Sequence, residues 1–276
     1  AKKAVLADTF KTVFEEISAI SASNLSVPMA WIGCITYAFE IYYDFSGYSD
    51  MAIGLSRMFG FELKKNFDHP YVSRSVTEFW RRWHISLGTW FRDYVYFPLG
   101  GSRVESKGRL VLNLFAVWFL TGIWHGASWN YILWGLLFFV FITFEKLSQY
   151  PKKFKSKAAV TAYRILSLLI ILLGWVLFRA EDLPRAWEYI RCMFCLDHNA
   201  AGDALAAFIL KDSAVIYILG ILFSIPIIPF IAEKTKDSKF KPLLDGLGFA
   251  CLMVIFAASI CFSVTGSYDP FIYFNF

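Results

Sequence analysis

Two histidines sit where an imidazole could do proton chemistry. His125 lies in TGIWHGASW (121–129), flanked by Gly122 and Gly126 and by Trp124 and Trp129, inside a long apolar stretch. His84 lies in FWRRWHISL (79–87), beside Arg81 and Arg82. A neutral imidazole can take the proton of a hydroxyl as its oxygen attacks a carbonyl, or hand protons along a relay. The alternative for His125 is a neutral ring sharing a hydrogen bond between helices. Ionisable groups inside a bilayer are costly and mark function by default. Gly122 and Gly126 favour a site, because they are expected to clear room for a ligand beside the ring.

The remaining polar residues divide less sharply. His84 falls at the edge of an apolar stripe, where a headgroup-level or cytosolic-surface histidine is the simpler reading. Arg81, Arg82 and Arg92 form either a solvated, lipid-phosphate-facing surface or a docking patch for a polyanionic donor such as a nucleotide-linked thioester. Asp44 and Asp50 are six residues apart, on different faces of a helix, which argues against paired-carboxylate chemistry. Asp44 is expected instead to hold an Arg, Tyr or Ser inside the bundle. His69, in KKNFDHPY (64–71), reads as a surface residue. Cys192 and Cys195 form a C-x-x-C with His198 after it, but a second ligand pair at zinc-like spacing is absent, so no metal site is assigned.

The elements that must position these residues are membrane elements. Hydrophobic residues make up 57% of the chain and charged residues 18%, with a mean hydropathy of +0.50. Soluble domains are nearer 45–50% and about 25%, so the composition specifies an integral membrane protein, and its long apolar runs are expected to make it all-α. The modest net charge of +5, with its bases gathered in loops, fits a lipid-facing basic side and excludes nucleic acid as a partner. The chain opens without an initiator Met or a signal-peptide pattern and is expected to lack an N-terminal portion, leaving one membrane domain over 1–276.

Apolar runs near spanning length appear at 27–43, 161–179, 214–232 and 243–263. The stretch 110–146 is too long for one span and reads as two helices joined at 122–128. Segments 64–109, 147–160 and 233–242 are basic, whereas 180–213 has more acids than bases. Counting crossings puts the three basic segments on one face, assigned as cytoplasmic, and implies a multi-pass protein of the cell (inner) membrane. Between Leu110 and Trp124 a helix rises only about 22 Å, short of a hydrocarbon core about 30 Å thick. His125 is therefore expected within the membrane or at the floor of an outward-facing pit. Segment 75–96 has apolar residues at helical spacing and is predicted as one amphipathic helix in the interface plane, with Ser75 and Glu78 as a capping box. Segment 43–62, with glycines at 47, 54 and 60, is predicted as a buried, broken or re-entrant helix.

Three motifs, YYDFSGYSDMAIGLSRMFGFEL (42–63), NFDHPYVSRSVTEFWRRWHISLGTWFRDYVYFPLGGSR (66–103) and NLFAVWFLTGIWHGASWNYILWG (113–135), closely resemble the membrane-bound O-acyltransferase family. They are most similar to its bacterial branch of alginate O-acetylation membrane subunits. LLGWVLFRAEDLPRAW (172–187) and SYDPFIYFNF (267–276) resemble that branch as well, so the likeness runs from about Trp31 to the end. The resemblance implies a multi-helix bundle around a tunnel that links a cytoplasmic donor site to an outer acceptor site. It implies His125 as the catalytic residue and His84 as a second functional histidine. Trp124, Trp129, Arg81, Arg82 and Asp44 are assigned to substrate binding. No cofactor is expected; an acyl thioester, acetyl-CoA or an acyl carrier, would be the co-substrate. The implied partners are the lipid bilayer, a glycan acceptor, and a periplasmic or extracellular acetyltransferase or polysaccharide-assembly proteins. Two other readings stand beside this one: D-alanyl transfer toward teichoic acid, and a proton- or ion-coupled transporter using His125 and Asp44. The transporter is weakened by the lack of inverted repeats.

Overall fold

A computed structural model describes residues 1–21, 24–196, 200 and 202–265. Among them the regular structure is helical throughout, and the chain is an all-α integral membrane protein. A π-helical turn, Lys2–Ala7, runs into α1 (Asp8–Ser18), and both pack along α2 (Val27–Met58). Two short helices follow, α3 (Val76–Arg82) and α4 (Ile85–Phe91). The hairpin α5 (Lys107–His125) and α6 (Trp129–Ser148) comes next, then α7 (Lys157–Arg179) and α8 (Leu183–Met193). The chain finishes with α9 (Ala204–Asp212), α10 (Ala214–Ser224), α11 (Ile227–Thr235) and α12 (Lys241–Thr265). By length and composition α6, α7 and α12 can cross a membrane, and α9 with α10, bent by 65°, would make a fourth span.

The predicted break at 122–128 is present, because Gly126 stops α5 at φ 155° and Ser128 starts α6 by accepting from the Asn130 N–H. Three other expectations need correction. Segment 43–62 is neither broken nor re-entrant: α2 is a single helix of 32 residues, about 48 Å long. Gly47 serves close approach instead, since a Cβ there would stand 3.0 Å from the Lys3 nitrogen. Gly60, at φ 81°, ends the helix, and the Phe61 N–H turns back to the Ser56 carbonyl.

Segment 75–96 is not one helix. Ser75 does cap α3 by accepting from the Glu78 N–H, but Glu78 reaches the Arg74 N–H rather than completing the box. Trp83 is extended and His84 left-handed, at φ 47°. The periodicity continues through this point; tertiary packing overrides it. The Trp83 ring is drawn into the core, 5.0 Å from Phe67 and 4.8 Å from Trp175 between centroids. The lost helical bonds are replaced by Asp68 N–H to Arg82 C=O and Ile85 N–H to Asn66 C=O.

The run 214–232 is not one span either. Pro226 cannot donate a backbone hydrogen bond, Ile225 is extended, and α11 starts afresh beyond them. The core is gathered around α2, α3, α6 and α7, where Tyr43, Phe79, Trp83, Trp134, Phe138 and Trp175 are all buried. Along α12, by contrast, Leu252, Phe256 and Phe262 are exposed.

Candidate active site

The α3–α4 break aims a histidine at the end of α5. His84 and His125 line one cavity of about 200 Å³, together with Trp80 and Arg81 of α3, Thr121 of α5, Trp134 of α6 and Trp175 of α7. The His125 ring is held by aromatic edges, 4.9 Å from Trp134, 5.1 Å from Phe178 and 4.8 Å from Trp124 between centroids. Trp124 also comes within 6.2 Å of His84, but it is half exposed and does not line the cavity.

Left-handed backbone is uncommon for a residue with a Cβ and is kept only where the surroundings over-determine it. At His84 the surroundings are Asn66. Its main-chain oxygen accepts from the Ile85 N–H at 2.9 Å, and its side-chain oxygen accepts from the Ser86 N–H at 3.0 Å and hydroxyl at 2.9 Å. The same oxygen is 3.4 Å from His84 Nδ1. An Nδ1–H donating there leaves the lone pair on Nε2, which is the tautomer a proton acceptor or hydrogen-bond acceptor needs. Asn66 itself is fixed by donating to Ser49 Oγ at 3.1 Å.

The other sequence-predicted residues separate into those at the cavity and those away from it. Arg81 lines it and makes no ion pair among the described residues. Arg82 is committed elsewhere: its guanidinium pairs with Glu78 at 2.9 Å and with Asp68 at 3.4 Å, and donates to the Asp68 carbonyl. It braces the α3 turn against the loop before it. Lys65, hydrogen-bonded to the Asp68 carboxylate, holds that group below the usual carboxylate range. Asp44 lies deep on α2, where Lys3 pairs with it at 2.6 Å, and Asp50 pairs with the neighbouring Lys2. Trp129 is 68% exposed at the first turn of α6 and does not line the cavity. His69 is half-buried rather than a surface residue, with Nδ1 3.3 Å from the Ser224 carbonyl. Cys192 is buried and bonds to the Leu25 carbonyl, whereas Cys195 is exposed. His198 lies outside the described residues.

The glycines around His125 do something other than make room. A Cβ on Gly122 would lie 2.6 Å from the Tyr131 carbonyl, and one on Gly126 2.8 Å from the Tyr131 ring. The space is filled by α6, which crosses α5 at Gly122 and Gly135. These glycines bring two backbones together and thereby fix the His125 ring against Trp134.

Sequence reasoning missed four contributors. Asn66 sits in a basic loop whose polar residues look solvated. Trp80 and Trp134 look like packing residues, yet both line the cavity and have buried indole N–H groups. Glu145, read only as the end of an apolar run, reaches across from α6. It accepts from the Val76 and Thr77 N–H groups, each at 2.8 Å, and from the Tyr163 hydroxyl at 3.0 Å. It thereby holds the first turn of α3. A second cavity, of about 400 Å³, is bounded by Arg179, Glu188 and Tyr189, and Trp175 lines it as well as the first.

Residues 4–188 match the MBOAT, or membrane-bound O-acyltransferase, family. The chain is 35% identical over 306 aligned residues to a probable alginate O-acetylase of Azotobacter vinelandii, covering 100% of this chain and 60% of the relative. It is 31% identical to a peptidoglycan O-acetyltransferase of Helicobacter pylori, covering 100% and 54%. A teichoic acid D-alanyltransferase of Bacillus subtilis is 35% identical over 126 residues, 43% of this chain and 32% of the relative. The chain thus spans less than two thirds of the length of these relatives.

Proposed function

This chain belongs to the membrane-bound O-acyltransferase family, and from that premise we propose that it transfers an acyl group, acetyl in the first instance, from a thioester to a hydroxyl. The donor is acetyl-CoA or an acyl carrier on the cytoplasmic side of a multi-pass inner-membrane protein. The acceptor is a hydroxyl of an exported polysaccharide, or a periplasmic or extracellular transferase that passes the group on. The observation that carries the reading is the meeting of His84 and His125 in one aromatic cavity. A volume of about 200 Å³ suits a short acyl group. Arg81 at its lining supplies a cation for a polyanionic donor. The larger cavity, which shares Trp175 with the first, is proposed to take the acceptor.

In this mechanism neutral His125 takes the hydroxyl proton as the oxygen attacks the thioester carbonyl. His84, oriented by Asn66, lies in the same cavity to hold the second reactant or relay the proton. The decisive experiment replaces His125 with Ala and follows transfer from a radiolabelled thioester in reconstituted membranes at matched expression. Transfer is expected to fall by 100-fold or more, about the contribution of a positioned general base. A variant that transfers at the wild-type rate would refute the assignment, and proton-coupled flux without transfer would favour a transporter. The likeness to a teichoic acid D-alanyltransferase supports a second reading, D-alanyl transfer. The same assay separates it by substituting a D-alanyl carrier protein for the acetyl donor.

A further inference from the structure

The indole N–H groups of Trp80 and Trp134 are buried and meet no acceptor among the described residues. Leaving such a donor unpaired is costly, and native interiors rarely tolerate it without a use. Both rings line the cavity that holds the two histidines. The Trp134 centroid is 4.9 Å from that of His125 and 5.3 Å from that of Trp80. Three nearby main-chain donors are already engaged: the Gly126 N–H with Ile123, and the Asn130 and Tyr131 N–H groups with Ser128. We propose that Trp134, with Trp80 beside it, donates its indole N–H to the carbonyl oxygen of the acyl group and stabilises the oxyanion formed during transfer. This rests on the reading of His125 as proton acceptor.

The step balances as follows. The acceptor hydroxyl gives its proton to His125 while its oxygen forms a bond to the carbonyl carbon, and the carbonyl π pair moves onto oxygen. The indole donors meet that charge. When the oxygen returns its pair, the C–S bond breaks, the thiolate leaves with the bonding electrons, and the proton on His125 is released to it. An indole suits this task because it cannot rotate away. Trp134 is 1% exposed and wedged against Trp118, Phe138 and Phe178, so its ring is held in place as charge develops.

The test replaces Trp134 with benzothienylalanine, which exchanges the N–H for sulfur in a ring of nearly the same shape, and separately with Phe (Trp134→Phe). Both are compared with wild type and His125→Ala in native membranes, using a labelled acetyl thioester and a thermal-unfolding control. The expected result is a fall in kcat of about 100-fold or more for the sulfur isostere, typical of losing one oxyanion donor, with KM for the thioester little changed. Wild-type kcat in the folded isostere overturns the proposal, as does a loss confined to KM. If His125→Ala also transfers normally, the reading of His125 falls instead, so the two failures are distinguishable.

Discussion

Helix α3 carries buried polar chemistry at both of its ends, and the two ends are completed differently. At its start, Glu145 arrives from α6 and accepts from two main-chain N–H groups and a tyrosine hydroxyl, so the donors it faces are answered. At its far end, Trp80 brings an indole N–H with no acceptor among the described residues, His84 adopts left-handed backbone, and the void they border also holds His125. In a low-dielectric interior a fully satisfied cluster rigidifies, whereas an unanswered donor carries a penalty. The first cluster therefore reads as an anchor and the second as a place prepared for a ligand. The anchor lies one short helix from the site it positions.

The sharpest way to break this contrast is at His84. Substituting His84→Asn retains a residue that tolerates left-handed backbone but removes a side chain able to accept and release a proton. Transfer activity is expected to fall about 100-fold or more, with little change in thermal unfolding in detergent. Retained activity would reduce His84 to a hydrogen-bonding residue.

At the other end the order of effects reverses, with stability failing before chemistry. Removing Glu145 (Glu145→Ala) strands a buried N–H, a part-buried N–H and a buried hydroxyl, each costing about 1–3 kcal/mol when fully buried. The unfolding free energy is expected to drop by at least about 3 kcal/mol, with Glu145→Gln intermediate because one acceptor oxygen survives. Any protein that remains folded should show weaker transfer, since α3 carries Trp80 and Arg81 to the cavity. Unchanged stability on denaturant unfolding would mean that α3 is held by its aromatic contacts alone.

These two ends also mark how far the sequence could be read. Hydrophobic run length is a local signal, and it located α6, α7 and α12 and the turn between α5 and α6. The break at His84 is not local: Trp83 leaves the helical path because Phe67 and Trp175 bury its ring, and Asn66 supplies the bonds the helix gives up. No periodicity records that. The packing of His125 against Trp134 likewise depends on the α5–α6 crossing at Gly122 and Gly135, which brings α6 close to α5. Glycines beside a histidine suggested open space, but only the partner helix reveals that the space is occupied. Asp44 shows the converse limit. Its burial was legible in an apolar run, but its cation, Lys3, comes from a segment more than forty residues away.

The smallest expected effect tests whether ring contact with the imidazoles, rather than neighbouring His125 in sequence, is what matters. Trp124 and Trp129 flank His125 in the same motif, and sequence spacing treats them alike. In the structure the Trp124 ring lies 4.8 and 6.2 Å from the two imidazoles between centroids, although neither tryptophan lines the cavity, whereas Trp129 is 68% exposed. Exposed side chains away from such features usually change free energies by no more than about 0.5 kcal/mol, roughly a factor of two in rate. Trp129→Ala should therefore keep transfer within about twofold of wild type under the same thioester assay. A loss as deep as that of His84→Asn would show that the reacting groups extend beyond the void, toward the first turn of α6.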